Sequence, residues 1–259
     1  MTKALTLITG ASMGIGRALA FEFASHGHDL ILVARSTSKL NELSKELASK
    51  FGVNVHVISK DLLTPNACEE LYNEVTGKNL SVEILVNNAG FGLYGPFNET
   101  DLKKETDMIE LNIQTLTRLT KLFLKNMVRN KKGKILNTAS VAGYFPGTLM
   151  AVYYATKAYV ISFTQALAGE LKGSGVTASA LCPGFTESDF HKNAEIDFRR
   201  PADALQMPAD QVAKTAYRGL MRHKQIIVPG FMNQLMIFLS KITTKNFQAS
   251  LNTVFQNKR

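Results

Sequence analysis

Short apolar runs alternate along this chain with longer segments in which apolar and polar positions follow a helical spacing. The short runs have the length of strands, and they are rich in Val, Ile and Leu. They cover Ala4–Thr9, Leu30–Ala34, Val53–Ser59, Val82–Asn87, Lys134–Ala139, Val176–Leu181 and Gln225–Val228. We therefore predict about seven strands, separated by helices.

The longer segments have helical length and apolar spacing. They cover Gly14–Ser25, Lys39–Lys50, Pro65–Thr76, Thr100–Val128, Ala151–Leu171 and Ala209–Met221. Strands that alternate with helices predict a parallel sheet, and right-handed crossovers would place the helices on both of its faces. The expected fold is a doubly wound α/β fold of the Rossmann type. A single domain spans residues 1–259, because no linker or repeat divides them.

The composition is that of a globular protein. Hydrophobic residues make up 45% of the chain, and no apolar run approaches the roughly 20 residues that span a bilayer. The N-terminus lacks the pattern of a secretory signal, which predicts a cytoplasmic protein. Two cysteines are too few for a disulfide framework, and the five histidines show no metal-site spacing, so no metal is expected.

The formal net charge of +9 is unevenly placed, because every charged residue between Gln211 and Arg259 is Lys or Arg. Such a field could attract a phosphorylated substrate, an anionic carrier or an acidic membrane surface, or it could serve solubility alone. No aromatic residues are interleaved with the basic ones in a way that predicts nucleic-acid binding.

Two groups of residues carry candidate chemistry. Gly10, Gly14 and Gly16 lie between a predicted strand and a predicted helix, where glycines let the backbone approach a pyrophosphate at the helix N-terminus. Tyr153 and Lys157 are one helical turn apart, which places a phenol and an ammonium group on one helix face. Together they indicate a carbonyl reductase that uses a dinucleotide cofactor.

In this order, with Asn87-Asn88-Ala89-Gly90, Asn112 and Ser140 between them, these motifs resemble the short-chain dehydrogenase/reductase family. The resemblance runs from about Lys3 to about Pro229. It implies a Rossmann fold, a nicotinamide cofactor, a small carbonyl or alcohol substrate, and assembly into a homodimer or homotetramer.

The resemblance also implies a set of cofactor contacts. Asp61 would accept a hydrogen bond from the adenine amino group, although it could instead cap the following turn or helix. Asn88, Ala89 and Gly90 would line the adenine ribose, and Thr186 with the backbone of Phe185 would contact the nicotinamide carboxamide. The full expected set is Gly10, Ser12, Met13, Gly14, Ile15, Gly16, Arg35, Ser36, Asp61, Leu62, Asn88, Ala89, Gly90, Tyr153, Lys157, Pro183, Gly184, Phe185 and Thr186.

The end of the second predicted strand favours NADP(H) over NAD(H). Arg35 and Ser36 stand where an NAD-binding protein would carry a ribose-binding carboxylate. A guanidinium and a hydroxyl group there suit the 2′-phosphate of NADP. Met13 occupies the position of a basic residue in many NADP-using relatives, which leaves the discrimination to Arg35. Arg17 could assist it or remain solvated.

Carbonyl reduction needs a proton as well as a hydride. Tyr153 would supply the proton, with its pKa lowered by the Lys157 ammonium group and by a cationic nicotinamide. The resemblance assigns Ser140 to the substrate oxygen, Lys157 to the nicotinamide ribose and Asn112 to a water on the proton path. Tyr154 could share a helix face with Lys157 too, but the family pattern selects Tyr153.

The C-terminal part is expected to shape the substrate site. Residues 187–205 read as a mobile substrate loop, and residues 231–259 form an apolar and basic extension. That extension could be a lid, a subunit contact, a membrane-surface helix or simply a docked helix. The expected function is NADPH-dependent reduction of a hydrophobic ketone or aldehyde, and the alternative is a non-catalytic NADP(H)-binding sensor or scaffold.

Overall fold

The computed structural model of the protein describes residues 4–187 and 206–244, and it contains one parallel sheet of seven strands. Every strand pair in this sheet is parallel, and the spatial order is β3-β2-β1-β4-β5-β6-β7. The strands are β1 Leu5–Thr9, β2 Asp29–Ala34, β3 Val55–Ser59, β4 Val82–Asn87, β5 Gly133–Thr138, β6 Val176–Leu181 and β7 Ile226–Ile227. The predicted sheet is confirmed, with a shorter last strand than Gln225–Val228.

The helices follow the predicted alternation. They are α1 Gly14–Ser25, α2 Thr37–Phe51, α3 Ala67–Gly77, α4 Leu102–Ile109, α5 Leu116–Arg129, α6 Ala151–Glu170, α7 Ala209–Met221 and α8 Phe231–Ile242. None of the described helices is long and apolar enough to cross a membrane. Two further short elements are a π-helical segment, Glu110–Thr115, and a 3₁₀ turn, Val141–Tyr144.

Helices cover both faces of the sheet, as a doubly wound fold requires. On one face α1, α2 and α7 bury apolar side chains such as Phe23, Leu47 and Leu220 against the strands. On the other face α3, α5 and α6 do the same with Leu71 and Phe123 among them. Burial on both sides explains why the central strands are apolar at nearly every position.

The helix predicted over Thr100–Val128 is interrupted. The π-helical segment Glu110–Thr115 separates α4 from α5, and it carries Asn112. A π segment inserts an extra residue into a helical turn and shifts the following side chains around the axis. Periodicity alone did not indicate this insertion, which lies at one of the expected catalytic residues.

The strand order reverses between β1 and β4, because β1 leads to β2 and β3 on one side while β4 leads to β5 on the other. At such a point the loops after the two strands diverge and leave a crevice beyond their carboxyl ends. The residues expected to bind the cofactor follow these strand ends.

Candidate active site

The glycine loop after β1 packs directly against the loop after β4. Gly10 has a φ of +66°, and a Cβ atom there would lie 2.9 Å from the Cα of Ala89. A Cβ atom at Gly16 would collide with the carbonyl oxygen of Gly10 and would lie 2.6 Å from Nδ2 of Asn88. Side chains are therefore excluded at both glycines, and the turn can present its backbone to a ligand.

Thr9 joins the same two loops through its side chain. Its hydroxyl oxygen accepts hydrogen bonds from the backbone N–H groups of Asn88 (2.9 Å) and Ala89 (3.0 Å). The amide of Asn88 in turn donates to the carbonyl oxygen of Thr9 at 3.1 Å. The loop after β4 is thus fixed on the glycine turn, and Gly90 follows it directly.

The N-terminus of α1 suits an anion. Met13 precedes the helix in an extended conformation, and no side chain caps the first turn, which also contains no acidic residue. Uncapped N–H groups at a helix N-terminus bind phosphate well. Ser12, Met13 and Gly14 border an open cavity of about 380 Å³ that extends toward α2, and Ile15 lies in the first turn.

Arg35 and Ser36 stand at the end of β2, where sequence analysis placed the NADP discrimination. The Arg35 side chain is exposed, and its backbone carbonyl accepts a hydrogen bond from Ser59 at 3.1 Å. Ser36 precedes α2 without capping it through its side chain. Arg17 is engaged elsewhere, because its guanidinium forms a 2.9 Å ion pair with Glu46.

Lys39 was missed as a candidate. It lies in the first turn of α2 and lines the cavity beside the glycine loop. Among the described residues, no carboxylate forms an ion pair with it, so its charge is available to a bound anion. Proximity to Arg35 in sequence is the signal that could have identified it.

Asp61 and Leu62 lie in the turn after β3. The carboxylate of Asp61 accepts a hydrogen bond from the backbone N–H of Leu63 at 3.0 Å, which matches the turn-capping alternative. Leu62 is buried, and its carbonyl oxygen accepts from the Thr115 hydroxyl at 3.3 Å. The adenine contact of Asp61 stays a prediction.

Ser140 and Tyr153 come together from different elements. Ser140 follows β5 and begins the 3₁₀ turn, where its hydroxyl accepts from the N–H of Ala142 at 3.1 Å. Tyr153 lies in the first turn of α6, is buried, and hydrogen-bonds to Ser140 through its side chain. The predicted pair of hydroxyl groups is therefore formed by the fold.

Lys157 is one of the most deeply buried cations of the described chain. Its ammonium group donates to the carbonyl oxygen of Thr138 at 2.9 Å and lies 5.7 Å from the centre of the Tyr153 ring. Burial lowers the pKa of Lys157 to about 8, because desolvation disfavours the charged form. Thr138, which sequence analysis did not name, orients this group.

The expectation that Lys157 lowers the pKa of Tyr153 is wrong for the protein alone. Burial raises the pKa of Tyr153 above that of a free phenol, and the hydrogen bond with Ser140 opposes the shift only in part. The reason is that desolvation of the buried phenol disfavours its charged form. The further lowering of the Tyr153 pKa by the positive charge of an oxidised nicotinamide stays a prediction.

Asn112 is buried and held rigidly. Its amide donates to the carbonyl oxygen of Phe91 at 2.9 Å and to the Thr156 hydroxyl at 3.1 Å, while its oxygen accepts from the N–H of Phe91. A Cβ atom at Gly90 would lie 2.7 Å from Oδ1 of Asn112 and 3.6 Å from Nζ of Lys157. Because residue 90 is glycine, no side chain lies between the Asn112 carboxamide and the Lys157 ammonium group.

Tyr154 occupies a different environment from Tyr153. Its ring packs on Gly147 so closely that a Cβ atom there would collide with it, and it meets the Tyr153 ring edge-to-face at 6.0 Å. Tyr153 hydrogen-bonds to Ser140 through its side chain. The choice of Tyr153 as the proton donor stays a prediction.

The segment Pro183–Thr186 follows β6 and lies beside Ser140. The carbonyl oxygen of Pro183 accepts from the Ser140 hydroxyl at 3.4 Å and from the N–H of Val141 at 3.0 Å. Thr186 is buried and donates to the carbonyl oxygen of Gly184 at 3.1 Å, whereas Phe185 is exposed. Most of the predicted substrate loop, residues 188–205, lies outside the described residues.

The described residues contain no cluster of His, Cys, Asp or Glu that could hold a metal ion. The buried polar groups of the candidate site are two hydroxyl groups, an ammonium group and a carboxamide, which belong to Ser140, Tyr153, Lys157 and Asn112. These groups suit acid–base chemistry. Such a set can position a carbonyl oxygen and transfer a proton to it.

Known proteins are similar to this chain in sequence and in architecture. The family described as short chain dehydrogenase matches residues 4–197. The chain is 33% identical over 204 residues to a very-long-chain 3-oxoacyl-CoA reductase of Anas platyrhynchos, an alignment that covers 76% of this chain and 64% of that protein. It is 35% identical over 189 residues to a 3-oxoacyl-[acyl-carrier-protein] reductase of Aquifex aeolicus, covering 71% of this chain and 75% of that one.

Among solved structures, a short-chain dehydrogenase from Sphingobium yanoikuyae in complex with NADPH superimposes with a TM-score of 0.85 at 31% sequence identity. The match covers 99% of this chain and 96% of that one. The fold predicted from the sequence is thereby confirmed over nearly its whole length.

Proposed function

The chain belongs to the short chain dehydrogenase family, and we propose that it is an NADPH-dependent reductase of an apolar 3-oxoacyl thioester. The observation that carries the reaction type is the buried group of Ser140, Tyr153 and Lys157 beside a glycine turn that excludes side chains. Two relatives whose names specify 3-oxoacyl thioesters support the substrate class.

The backbone of the glycine turn and the N-terminus of α1 fit a pyrophosphate, because no side chain caps the start of α1 and the glycines allow a turn that packs closely on the loop after β4. Lys157 would bind the nicotinamide ribose, and Thr186 would contact the carboxamide. When bound, NADPH supplies the hydride that the protein itself lacks.

Tyr153 donates the proton to the developing alkoxide, since it is buried and bonded to Ser140. A raised phenol pKa keeps this proton in place at neutral pH until the oxygen becomes basic. Ser140 orients the substrate oxygen through a second hydrogen bond. The space that Gly90 leaves between Lys157 and Asn112 supports a proton path from Tyr153 toward solvent.

We also propose that the cofactor is NADP(H) rather than NAD(H). Arg35 is exposed at the end of β2, no carboxylate stands at that strand end, and Lys39 lines the adjacent cavity. Two cations favour a 2′-phosphate whose charge is about −2. An Arg35→Ala variant should therefore bind NADPH about 10- to 100-fold more weakly while NADH binding stays unchanged. Equal weakening of both would contradict this assignment.

The decisive experiment follows NADPH oxidation with 3-oxoacyl thioesters of increasing chain length, and with simple ketones and aldehydes in parallel. Tyr153→Phe should retain NADPH binding and lose turnover by about 10² to 10⁴, as loss of a general acid does. Tyr154→Phe is the matched control, and it should turn over nearly as the wild type does. NADPH binding without turnover of any compound would instead favour a sensor or scaffold.

A further inference from the structure

The start of α8 reaches the segment that would cover the nicotinamide. This segment, Pro183–Thr186, is fixed on one side by the 3₁₀ turn, because Ser140 and Val141 donate to the carbonyl oxygen of Pro183. Its far end is fixed by Met207, whose N–H donates to the carbonyl oxygen of Phe185 at 2.9 Å. The N–H of Glu187 donates back to Met207 at 3.1 Å.

The same methionine touches the residue from which α8 begins. Gly230 precedes the helix with a φ of +84°, and a Cβ atom there would lie 2.7 Å from Cε of Met207. Glycine permits both the backbone turn and the contact. Met207 therefore links the beginning of α8 to the segment Pro183–Thr186.

Asn233 makes the direct connection. Its Nδ2 donates to the carbonyl oxygen of Pro229 at 2.7 Å, a bond that holds the carboxamide in one orientation. In that orientation the carboxamide fills the space beside Gly184: a Cβ atom at Gly184 would collide with Oδ1 and would lie 2.7 Å from Nδ2 of Asn233. Gly184 and Asn233, which are far apart in the sequence, are therefore in direct contact.

Resting on the proposed function, we propose that Asn233 is a positioning residue that fixes Pro183–Thr186 against α8 and so sets the nicotinamide face of the site. The segment is held between Ser140 on one side and Asn233 on the other. A shift of α8 moves this segment relative to Tyr153. Asn233 acts through Gly184 and does not take part in proton transfer.

The neighbouring residue provides a matched comparison. Gln234 is also an amide, and it also donates to a backbone carbonyl, that of Val228, at 3.1 Å. Gln234 is exposed, and it is not among the atoms nearest to a Cβ at Gly184. If the two amides only stabilise the start of α8, substitution of either should change NADPH binding to a similar extent. If Asn233 positions Gly184, only the substitution of Asn233 should weaken NADPH binding.

The experiment measures the dissociation constant of NADPH by its fluorescence, together with KM, kcat and the thermal midpoint of the cofactor-free protein. Asn233→Ala should weaken NADPH binding three- to tenfold and lower kcat, in line with the loss of one net hydrogen bond. Gln234→Ala should leave both unchanged. The thermal midpoints of the two variants should agree with each other.

A second pair of variants tests the contact itself. Gly184→Ala alone should weaken NADPH binding at least tenfold, because its methyl group meets a carboxamide that the bond to Pro229 holds in place. In the double variant Asn233→Ala/Gly184→Ala that methyl group gains room. NADPH should then bind more tightly to the double variant than to Gly184→Ala.

Additive losses in the double variant, or equal effects of Asn233→Ala and Gln234→Ala, would overturn the role of Asn233. A wild-type protein that binds NADPH but reduces no substrate would overturn the proposed function, and the binding constants would still decide the role of Asn233. A wild-type protein that binds no NADPH would overturn both.

Discussion

At the carboxyl ends of β4 and β5 the protein buries amide, hydroxyl and ammonium groups, whereas along α8 it leaves large apolar side chains in contact with solvent. Asn137 and Lys157 have exposed fractions of 0% and 6%, while Phe231 and Phe238 have exposed fractions of 76% and 60%. Both regions reverse the usual distribution of polar and apolar groups. The physical reasons for the two reversals differ.

Several of the buried polar groups at these strand ends hydrogen-bond to one another. Asn87 donates to the Thr120 hydroxyl and to Oδ1 of Asn137, and Asn137 donates to the Thr164 hydroxyl, each at 2.9 Å. This chain of bonds joins α5, β4, β5 and α6 just below Ser140. Oδ1 of Asn87 has no hydrogen-bond partner among the described residues, so the network is satisfied only in part. Its bonds still join the ends of β4 and β5 to α5 and α6.

The exposed apolar side chains of α8 have no comparable compensation among the described residues. Only a narrow stripe of the helix is buried, with Ile237 and Ser240 in it, while Asn233 reaches Gly184 at its start. Its opposite face suits an apolar ligand, which agrees with the proposed acyl substrate. Burial of polar groups at the strand ends thus fixes their geometry, whereas the apolar face of α8 has no partner among the described residues.

The largest expected effect comes from breaking the buried network. Asn137→Ala removes one acceptor and one donor, so it leaves the Asn87 and Thr164 partners with fewer bonds in a site without water access. We expect the free energy of unfolding to fall by about 3 kcal/mol. Urea unfolding measures it, with the exposed Asn130→Ala as the control. A loss below about 1 kcal/mol would show that the bonds of Asn137 contribute little to stability.

A pH effect of intermediate size is expected from Lys157. Its native pKa is about 8 and its ordinary value is 10.5, so between these pH values the unfolded chain binds more protons than the native one. Stability must therefore rise with pH in this window, by about 2 kcal/mol from pH 8 to pH 10.

The measurement compares urea unfolding of the wild type and of Lys157→Met at both pH values, which removes contributions shared by the two proteins. The difference in unfolding free energy should move in favour of the wild type as the pH rises. A difference that does not change with pH would mean that the ammonium group is not desolvated in the native state.

The smallest effect is expected on the exposed face of α8. Phe238→Ala should change the free energy of unfolding by less than about 0.5 kcal/mol, because this side chain is largely solvated already. Ile237→Ala, one residue earlier and buried, should cost about 2 kcal/mol. If KM for long-chain thioesters rises in Phe238→Ala at unchanged stability, the face contacts substrate. Equal losses of stability in both variants would show that the face is covered.

Much of the site could be predicted from the sequence because its chemistry depends on local spacing. The glycine turn, the Tyr153–Lys157 pair and the strand that precedes Arg35 are each contained within a few residues. Strand length and apolar continuity also predicted the sheet, since parallel strands covered on both faces leave a clear pattern. The bounds of α1 agree with the prediction at both ends.

Other parts depend on residues that are far apart along the chain, and no local pattern reports them. The carbonyl of Thr138 on Lys157, the Asn87–Asn137–Thr164 network and the contact of Asn233 with Gly184 each join separate elements. The raised pKa of Tyr153 belongs here too, because burial is a property of the assembled core.

By itself the sequence determined which residues could form a dinucleotide turn and a proton-donating pair, because bond geometry and helical spacing are local properties. The solvation of those groups, the place of Asn112 in the π-helical segment and the contact of α8 with Pro183–Thr186 depend instead on the tertiary structure. These features depend on the packing of distant elements, and packing is settled when the sheet and its helices come together.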